Sequence, residues 1–541
     1  PPQGRFAVDF GATATAANEI PALLFDHARA SAFSEAVLAE SRSPAAAEEA
    51  DRARRDLRSR LVFTLDPADA HDFDDAISLD SAGEGRVRLG VHIADVAAYV
   101  LPGSAVDHEA RERGCTAYLA DRVERMLPEE LTVKTCSLQP GEDHRAHTVD
   151  LLLDEATGRV LSAETFRSTI RSSARLAYEP VQEFLDGKRD GGAFPPGIAA
   201  VLRRLAELAA VLRKARFAAG ALDFALPEVH CLLGADGEPE GFEKRGAGEA
   251  YHLVEECMLL ANKAVAEKLF AAKVPFLSRI HDAPDEEQWE AMGAQLAAMG
   301  LPAVQTPRQI NRLMASLRGD PREYMAQLAV LRNLNRAVYS EESRPHFGLA
   351  FKRYAHFTSP IRRYPDLVVH RMLSALEEGR KPPVSRAALA AVAAECSEAE
   401  RATAELEQES VRLKRIRYYA NLWRKGECGP WEGIVTGFSP KGVFVELCDT
   451  FQTGLLPFSA LADGFYEVSP DGLSASAGKK HSYRLGQRIQ VAIGEVDERL
   501  GRIDWSVPDA PRKAAAPRPG AGGKARAAAP RPPRKKKSRE K

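Results

Sequence analysis

The sequence predicts an α+β protein, in which a mixed α/β domain is followed by a small all-β barrel. In the first part, residues 86–93 alternate polar and apolar side chains like a strand, while 199–217 and 253–269 have helical periodicity. In the last part, short apolar runs separated by glycines follow one another between 432 and 506. A chain of 541 residues is long enough for more than one domain.

Residues 1–60 are expected to form a short, mainly helical connector rather than a domain. The part from 45 to 60 is rich in Ala, Glu and Arg, which suits a helix with a charged face. At Leu61 the pattern changes, because Leu61-Val62-Phe63 is an apolar run typical of a strand. Because the strand pattern begins at Leu61, we place the start of the mixed domain at residue 61. A further strand is expected at 149–153.

The mixed domain is expected to run from 61 to 427 and to end in a long charged helix. Gly426 and the pair Gly429-Pro430 mark its end. The five short strands within 428–507 are typical of an OB-fold barrel. Such barrels commonly bind single-stranded nucleic acid by stacking bases on aromatic rings. Phe438 and Phe444 are candidate stacking residues, and their spacing suits a core position equally well.

Charge is distributed unevenly along the chain. The formal net charge is −2, yet residues 511–541 hold twelve Lys and Arg against one Glu. The tail 508–541 is also rich in Pro, Ala and Gly, so we expect it to be disordered. A basic disordered tail on an acidic body suggests a tether for nucleic acid, and the alternative is a tail that only aids solubility.

The cysteines and the hydropathy exclude several classes of protein. Seven cysteines occur without a CxxC pair, which indicates neither a zinc knuckle nor a disulfide framework. We therefore expect free thiols in a reducing cytoplasm. No apolar run approaches the length of a membrane span, so no membrane association is expected.

The segment from Thr64 to Ala76 holds five aspartates within ten residues. Packing so many like charges together costs free energy unless a cation neutralises them. Oxygen ligands suit Mg²⁺, with Mn²⁺ as an alternative, and a divalent ion held by carboxylates is the usual apparatus for hydrolysing phosphodiesters. An EF-hand loop is excluded, because the sixth position is His71 instead of Gly. A solvated loop is the remaining alternative, but Phe73 within the acids argues against it.

Two further motifs make the sequence recognisable. They are RGCTAYL at Arg113–Leu119 and YAHFTSPIRRYPDL at Tyr354–Leu367. Together with the acidic segment and with VEECM at 254–258, they resemble the catalytic domain, the RNB domain, of the RNase II/RNase R family of exoribonucleases. The predicted barrel resembles the S1 RNA-binding domain at the C-terminal end of that family. The resemblance covers roughly residues 20–506.

This resemblance implies a processive, Mg²⁺-dependent 3′→5′ exoribonuclease. Such an enzyme degrades single-stranded RNA from a free 3′ end and releases nucleoside 5′-monophosphates. Carried over position by position, the four metal-binding aspartates of the family are Asp66, Asp72, Asp74 and Asp75, while Asp69 is an additional acid. We expect Asp74 to be indispensable, since it lies mid-cluster beside the expected position of the attacking water.

The resemblance also suggests residues that contact the substrate. Arg362 matches the family arginine at the reacting phosphate, a task that a bidentate guanidinium performs better than Lys. Tyr118 matches the aromatic residue that stacks on the 3′-terminal base. The second stacking ring is assigned to Phe217, in an alignment that needs a gap and leaves Phe224 or a core role open. Three more residues of the family motifs are expected to have structural or backbone-contacting roles: Arg363, His281 and His346.

Some questions stay open at the level of sequence. The family usually carries paired cold-shock domains before the catalytic domain, and we expect residues 1–60 to be too short for them. The motif at 362–366 and the basic tail favour RNase R, which can unwind structured RNA, over RNase II, without deciding between them. Two other functions are a catalytically silent RNA-binding protein and a nuclease for DNA or small phosphoesters. We expect a monomer.

Overall fold

The structure is a computed structural model, and it describes residues 16–43, 54–224, 228–245, 248–320, 322–461, 465–470, 472–478 and 481–508. The predicted basic tail lies outside these ranges from residue 509 onward. So does the segment 44–53, which holds much of the predicted connector helix.

The described residues form helices and strands throughout. In chain order the helices are α1 (Ala16–Asp26), α2 (Glu35–Arg42), α3 (Ala105–Arg113), α4 (Tyr178–Leu185), α5 (Ile198–Ala219), α6 (Glu249–Ala271), α7 (Glu286–Ala298), α8 (Pro307–Ser316), α9 (Glu323–Arg332), α10 (Tyr364–Glu377) and α11 (Arg386–Lys425). The strands are β1 (Arg55–Asp56), β2 (Val62–Asp66), β3 (Asp75–Ser81), β4 (Arg86–Ala94), β5 (Ala117–Tyr118), β6 (Val123–Glu124), β7 (Asp143–Asp154), β8 (Val160–Ala177), β9 (Glu228–Leu233), β10 (Pro239–Arg245), β11 (Ser278–Ile280), β12 (Val338–Ser340), β13 (Trp431–Ser439), β14 (Gly442–Leu447), β15 (Thr453–Pro457), β16 (Glu467–Val468), β17 (Ser474–Ala477), β18 (His481–Arg484), β19 (Arg488–Asp497) and β20 (Arg502–Ser506).

The central sheet of the first domain closes on itself. Strands β2, β3, β4 and β7 are neighbours in that order, and each pair is antiparallel. The long strand β8 pairs antiparallel with β7 along 160–171 and parallel with β2 along 172–177. Because β8 reaches both partners, the ring is complete. The acidic segment forms the connection from β2 to β3.

A buried polar ladder crosses four neighbouring strands of this ring. His92 Nε2 lies 2.9 Å from Ser78 Oγ and its Nδ1 lies 2.9 Å from Thr148 Oγ1, which is 2.7 Å from Ser168 Oγ. Burial lowers the pKa of His92 to about 3. A Cβ on Gly90 would come within 2.5 Å of Ser78 Oγ, so the glycine leaves room for the ladder.

The long helix α11 joins the first domain to the N-terminal helix and to the β9–β10 hairpin. Lys414 on α11 is fully buried, with its Nζ 3.1 Å from the carbonyl oxygen of Gly237 and 3.7 Å from Glu19 Oε2. Arg417, one turn later, donates to Glu19 Oε1 at 2.6 Å and to Glu238 Oε1 at 3.0 Å. These two buried cations therefore tie α1, the hairpin and α11 together.

The last domain is a closed five-stranded barrel in the order β13-β14-β15-β20-β19, with a small sheet of β16, β17 and β18 inserted between β15 and β19. Trp505 fills its centre and donates from Nε1 to the carbonyl oxygen of Val445 at 3.0 Å. Phe438 packs against this core, whereas Phe444 is an exposed ring on β14. Of the two candidate stacking residues, Phe444 is thus the accessible one.

The observed elements confirm the predicted α+β class with its C-terminal barrel. The predicted strand at 86–93 is β4, and the predicted helices at 199–217 and 253–269 are α5 and α6. The predicted connector helix is wrong over its last residues, because Arg55 and Asp56 pair with β8 as a strand. Here tertiary pairing outweighs helix propensity. Within the described residues, none of the helices is both long and apolar enough to cross a membrane.

Candidate active site

The acidic segment is held in place from two sides. On one side, Arg175 at the end of β8 donates from Nη2 to the carbonyl oxygens of Pro67 and Ala68, at 3.0 and 2.6 Å. On the other side, Ser137 Oγ accepts from the amide of Phe73 and donates to the carbonyl oxygen of His71, both at 3.0 Å. The backbone of the loop that carries the aspartates is therefore held by hydrogen bonds with the side chains of Arg175 and Ser137.

A cavity of about 760 Å³ opens beside this segment. It brings together six of the predicted site residues, namely Asp66, Asp72, Asp74, Asp75, Tyr118 and Arg362. The additional acid, Asp69, also lines the cavity and is exposed. Residues distant in sequence thus meet as the family resemblance implied.

Asp74 is the most buried of these acids, with 4 % of its surface exposed. Its Oδ1 accepts a hydrogen bond of 2.8 Å from the amide of Ile361, and its Oδ2 lies 3.6 Å from Nε of Arg362. Burial raises the pKa of Asp74 well above its usual value, while the charge of Arg362 and the Ile361 hydrogen bond act in the opposite direction. Asp74 therefore connects the acidic segment to the segment that carries the arginine.

The carboxylates lack sufficient positive charge within the protein. Burial and then the neighbouring charge of Asp75 raise the pKa of Asp66 to about 8, and burial raises that of Asp75 to about 6. Oδ2 of Asp66 is buried without a hydrogen-bond partner. These oxygen donors suit a divalent cation, which would favour their ionised forms.

The oxygen donors of the cavity fit Mg²⁺. This ion commonly keeps several waters and takes one or two carboxylates together with substrate phosphates. The aspartates that line the cavity supply such carboxylates. In the described part of the chain, no three His, Cys, Asp or Glu side chains meet in a group that could hold a metal ion.

Arg362 and Arg363 are neighbours with different environments. The Arg362 side chain is 42 % exposed, donates to Ser359 Oγ at 3.0 Å, and faces the cavity. Arg363 instead donates from Nη2 to Oδ1 of Asp366 at 2.8 Å, and Asp366 is fully buried. Arg362 can reach a substrate phosphate, whereas Arg363 has the structural contact expected of it.

Tyr118 and Arg362 lie on segments that are linked through their backbones. The amide of Thr116 donates to the carbonyl oxygen of Arg362 at 3.0 Å, and the amide of Tyr364 donates to Gly114 at 2.9 Å. The amide of Tyr118 donates to Oε1 of Glu407 on α11 at 2.7 Å. The Tyr118 ring is 46 % exposed, so its face is accessible while its backbone is fixed.

The sequence did not assign one wall of the cavity, although part of this wall belongs to the motif at 254–258. It is one face of α6, at spacings of three and four residues, formed by Tyr251, Val254, Glu255, Met258, Leu259 and Asn262. Tyr178 and His230 add to it, and the rings of Tyr178 and Tyr251 lie 5.8 Å apart. The helical period of α6 was visible in the sequence, and the polar residues within its apolar stripe were the signal that could have identified this wall.

Four other residues singled out in the sequence lie outside this cavity. Phe217 is not in its lining, and its ring packs under the guanidinium of Arg213 at 4.6 Å. Phe224 packs against the apolar cluster of helices α7, α8 and α9. His281 and His346 accept hydrogen bonds from the backbone through their Nδ1 atoms, at 3.1 and 3.2 Å. The contacts of these two histidines match the expected backbone-contacting role.

Comparison with known proteins identifies the family of both domains. The model of the RNB domain matches residues 54–379, and that of the S1 RNA binding domain matches 431–507. Ribonuclease R of Aquifex aeolicus is 37 % identical over 470 residues, which is 85 % of this chain. The chain spans 66 % of the length of that relative.

Solved structures share the fold. Mycoplasma genitalium RNase R, in complex with ribose-methylated single-stranded RNA, matches with a TM-score of 0.84 at 23 % identity, covering 92 % of this chain and 79 % of that one. The yeast pseudonuclease Ssd1 matches with a TM-score of 0.71 at 18 % identity, covering 86 % and 58 %. Since these likenesses establish the fold alone, the family follows from the sequence matches. With an RNB match over more than half of its length and a Ribonuclease R relative at 37 % identity, the chain belongs to the RNase II/RNase R family of RNB-domain proteins.

Proposed function

We propose that this chain is a 3′→5′ exoribonuclease that degrades single-stranded RNA processively from a free 3′ end and releases nucleoside 5′-monophosphates. The observation that carries the proposal is the cavity that gathers the four aspartates, Arg362 and Tyr118. A fold shared with a pseudonuclease is not sufficient for activity, whereas a complete set of reactive side chains in one cavity supports it.

Each group in the cavity has a task in phosphodiester hydrolysis. Mg²⁺, or Mn²⁺ in its place, would share its coordination between water, the substrate and carboxylates drawn from Asp66, Asp72, Asp74 and Asp75, and when bound it supplies charge neutralisation and a more acidic water. Arg362, which reaches the cavity from beside Asp74, binds the non-bridging oxygens of the scissile phosphate. The hydrogen bond from Ile361 keeps Asp74 Oδ1 oriented, so that Oδ2 stays directed to the arginine and the substrate.

The wall of the cavity favours a single strand. The exposed faces of Tyr118 and Tyr251, at 46 % and 50 % exposure, can stack on bases, and stacking tolerates any base sequence. Glu255 and Asn262 on α6 add polar groups to the same wall. The assignment of Phe217 as a second stacking ring remains a prediction, because Phe217 does not line this cavity.

The proposal includes a cellular location, an oligomeric state and a second surface for RNA. We infer a cytoplasmic location, since all seven cysteines carry free thiols. We also propose that the chain acts as a monomer, since one copy supplies every side chain to which a task is assigned above. The barrel, with Phe444 exposed on β14, is the second surface proposed for RNA.

The test uses 5′-labelled single-stranded RNA with Mg²⁺, and compares wild type with Asp74→Asn. Asparagine keeps an oxygen for the Ile361 amide but loses the charge, so we expect folding and RNA binding to persist while cleavage falls by several orders of magnitude. Asp69→Asn, an exposed acid of the same segment, is the matched control and should retain activity.

Products separate the possible functions. A shrinking ladder with released 5′-mononucleotides, absent for Asp74→Asn, would support the exonuclease. Intact RNA with wild-type protein that still binds it would indicate a silent RNA-binding protein. Equal digestion of DNA and RNA of the same sequence would refute the RNA specificity, and a parallel titration with Mg²⁺ and Mn²⁺ would identify the metal.

A further inference from the structure

A second cavity, of about 340 Å³, adjoins the acidic cavity at Tyr118 and Arg362. It shares three lining residues with the acidic cavity: Tyr118, Arg362 and Arg363. Its remaining walls come from 114–116, from Tyr339 and Pro365, and from α11. None of the five aspartates lines it. The two cavities are therefore neighbours, and the shared side chains form the partition between them.

The partition consists of side chains on a fixed frame. Its backbone is held by the hydrogen bonds from Thr116 to Arg362 and from Tyr364 to Gly114, of 3.0 and 2.9 Å. The ring of Tyr118 and the guanidinium of Arg362 are each nearly half exposed. A rotamer change of either side chain takes nanoseconds or less at exposed positions, which is faster than a catalytic cycle. The frame can therefore stay in place while the partition opens.

A processive exonuclease needs a separate route for its product. If the chain degrades RNA as proposed above, the remaining strand occupies the acidic cavity after each cleavage. The released nucleotide cannot leave along that strand without displacing it. We propose that the second cavity is the release path for the nucleoside 5′-monophosphate, which passes the partition of Tyr118 and Arg362 on leaving the active site.

The second cavity carries charges of both signs. Arg362 at the partition attracts the phosphate, whereas α11 contributes Glu400 and Glu407 to the lining. Glu400 is neutralised by two hydrogen bonds from Arg279, at 2.6 and 2.9 Å, so Glu407 is the carboxylate that would repel a departing phosphate. A volume of about 340 Å³ lies within the range of about 300–1,000 Å³ typical of small-molecule sites, which is the size class of a mononucleotide.

The test is to obstruct the second cavity without touching the first. Ala404 on α11 lines the second cavity and is absent from the lining of the acidic one, so Ala404→Phe fills the route. Ala402→Phe, an exposed position on the same helix outside this cavity, is the matched control. Rapid-quench digestion of 5′-labelled RNA separates the first cleavage from the later ones.

For Ala404→Phe we expect the first cleavage at the wild-type rate and each later step slowed by about tenfold, since release then limits turnover. The control should match wild type in both phases. Later steps at the wild-type rate would overturn the proposal. A first cleavage slowed as much as the later steps would also overturn it, because the cavity would then serve substrate binding or folding.

A second variant keeps the proposal testable if Ala404→Phe does not fold. Glu407→Gln retains an oxygen for the Tyr118 amide but loses the charge, so we expect added uridine 5′-monophosphate to inhibit several-fold more strongly than in wild type. Unchanged inhibition by uridine 5′-monophosphate would show that the charge of Glu407 does not aid release. Failure of the wild-type chain to degrade RNA would refute the proposed function itself, before any variant is compared.

Discussion

Arg362 and Arg363 show how two identical neighbours acquire different roles. Arg362 is free to contact a phosphate, because Ser359 is its hydrogen-bond partner and its guanidinium faces the cavity. Arg363 is bound to the fully buried Asp366. The sequence suggested this difference only through the family motif, and the burial of Asp366 gives it a physical cause.

We expect Arg362→Lys to lower catalytic activity and Arg363→Lys to lower stability. Lysine at 362 loses the bidentate fork, so kcat should fall about 100-fold while the free energy of unfolding stays unchanged. Lysine at 363 weakens the pair with Asp366 and should lower the free energy of unfolding by about 2 kcal/mol. Single-turnover kinetics and urea unfolding measure the two effects. Equal loss of kcat without destabilisation in both variants would contradict the assignment.

The candidate site was predictable where residues are close in sequence or share a family motif. The four aspartates, Tyr118 and Arg362 were identified in this way and meet in one cavity. Asn262 was not, because its helix looks like an ordinary amphipathic helix until the opposite wall is known. Glu255 belongs to the motif at 254–258, yet that motif did not show which of its residues face the cavity. Arg175 was missed for a similar reason, since its bonds to the acidic segment arise from strand pairing between β2 and β8.

At the scale of elements, the polar ladder is the least expected feature of the sheet. Alternation of polar and apolar residues predicted β4 correctly, but it assigns His92 to a solvated face. In the structure the sheet closes into a ring, so both faces of β4 are buried from Leu89 onward and the polar side chains there bond to one another across strands. The closure depends on the length of β8, which no local pattern reveals.

The ladder should make stability depend on pH. His92 has a pKa of about 3 in the folded protein, against an ordinary value of 6.5. Above pH 6.5 His92 is neutral in both the folded and the unfolded protein, and its contribution to the free energy of unfolding is complete. As pH falls below 6.5 the unfolded chain binds the proton and the folded one does not, so stability is lost by about 1.4 kcal/mol per pH unit.

Comparison with His92→Gln isolates this contribution, because the other titrating groups cancel between the two proteins. Urea unfolding between pH 7.5 and 4.5 should show the stability advantage of wild type shrinking as the solution becomes more acidic. If the free energies of unfolding of the two proteins changed in parallel across this range, folding would not lower the pKa of His92.

At the scale of the whole molecule, α11 is the element that joins the parts. It carries the acceptor for the Tyr118 amide, and it contacts α1 and the β9–β10 hairpin through Lys414 and Arg417. The hairpin places His230 in the lining of the acidic cavity. The sequence predicted a long charged helix here, yet it gave no sign that two of its cations are buried.

We expect Glu19→Ala to show the importance of this junction. Removing Glu19 leaves Lys414 and Arg417 buried with less compensating charge, so the free energy of unfolding should fall by about 3 kcal/mol. The control is Glu395→Ala on α11, where an exposed pair with Arg111 is lost and the change should be much smaller. Equal losses would show that burial of the pair is unimportant. Chemical denaturation of both variants measures the difference.

Ring closure of the central sheet and of the barrel has a consequence for crowded solutions. An open strand edge offers unpaired amides and carbonyls to strands of other chains, and such edges promote aggregation. Here β8 closes the central ring, and β13 pairs with β19 to close the barrel. The two largest sheets therefore leave no long edge for templated assembly, so we expect the folded protein to withstand high concentrations and to recognise other macromolecules through side chains instead of added strands.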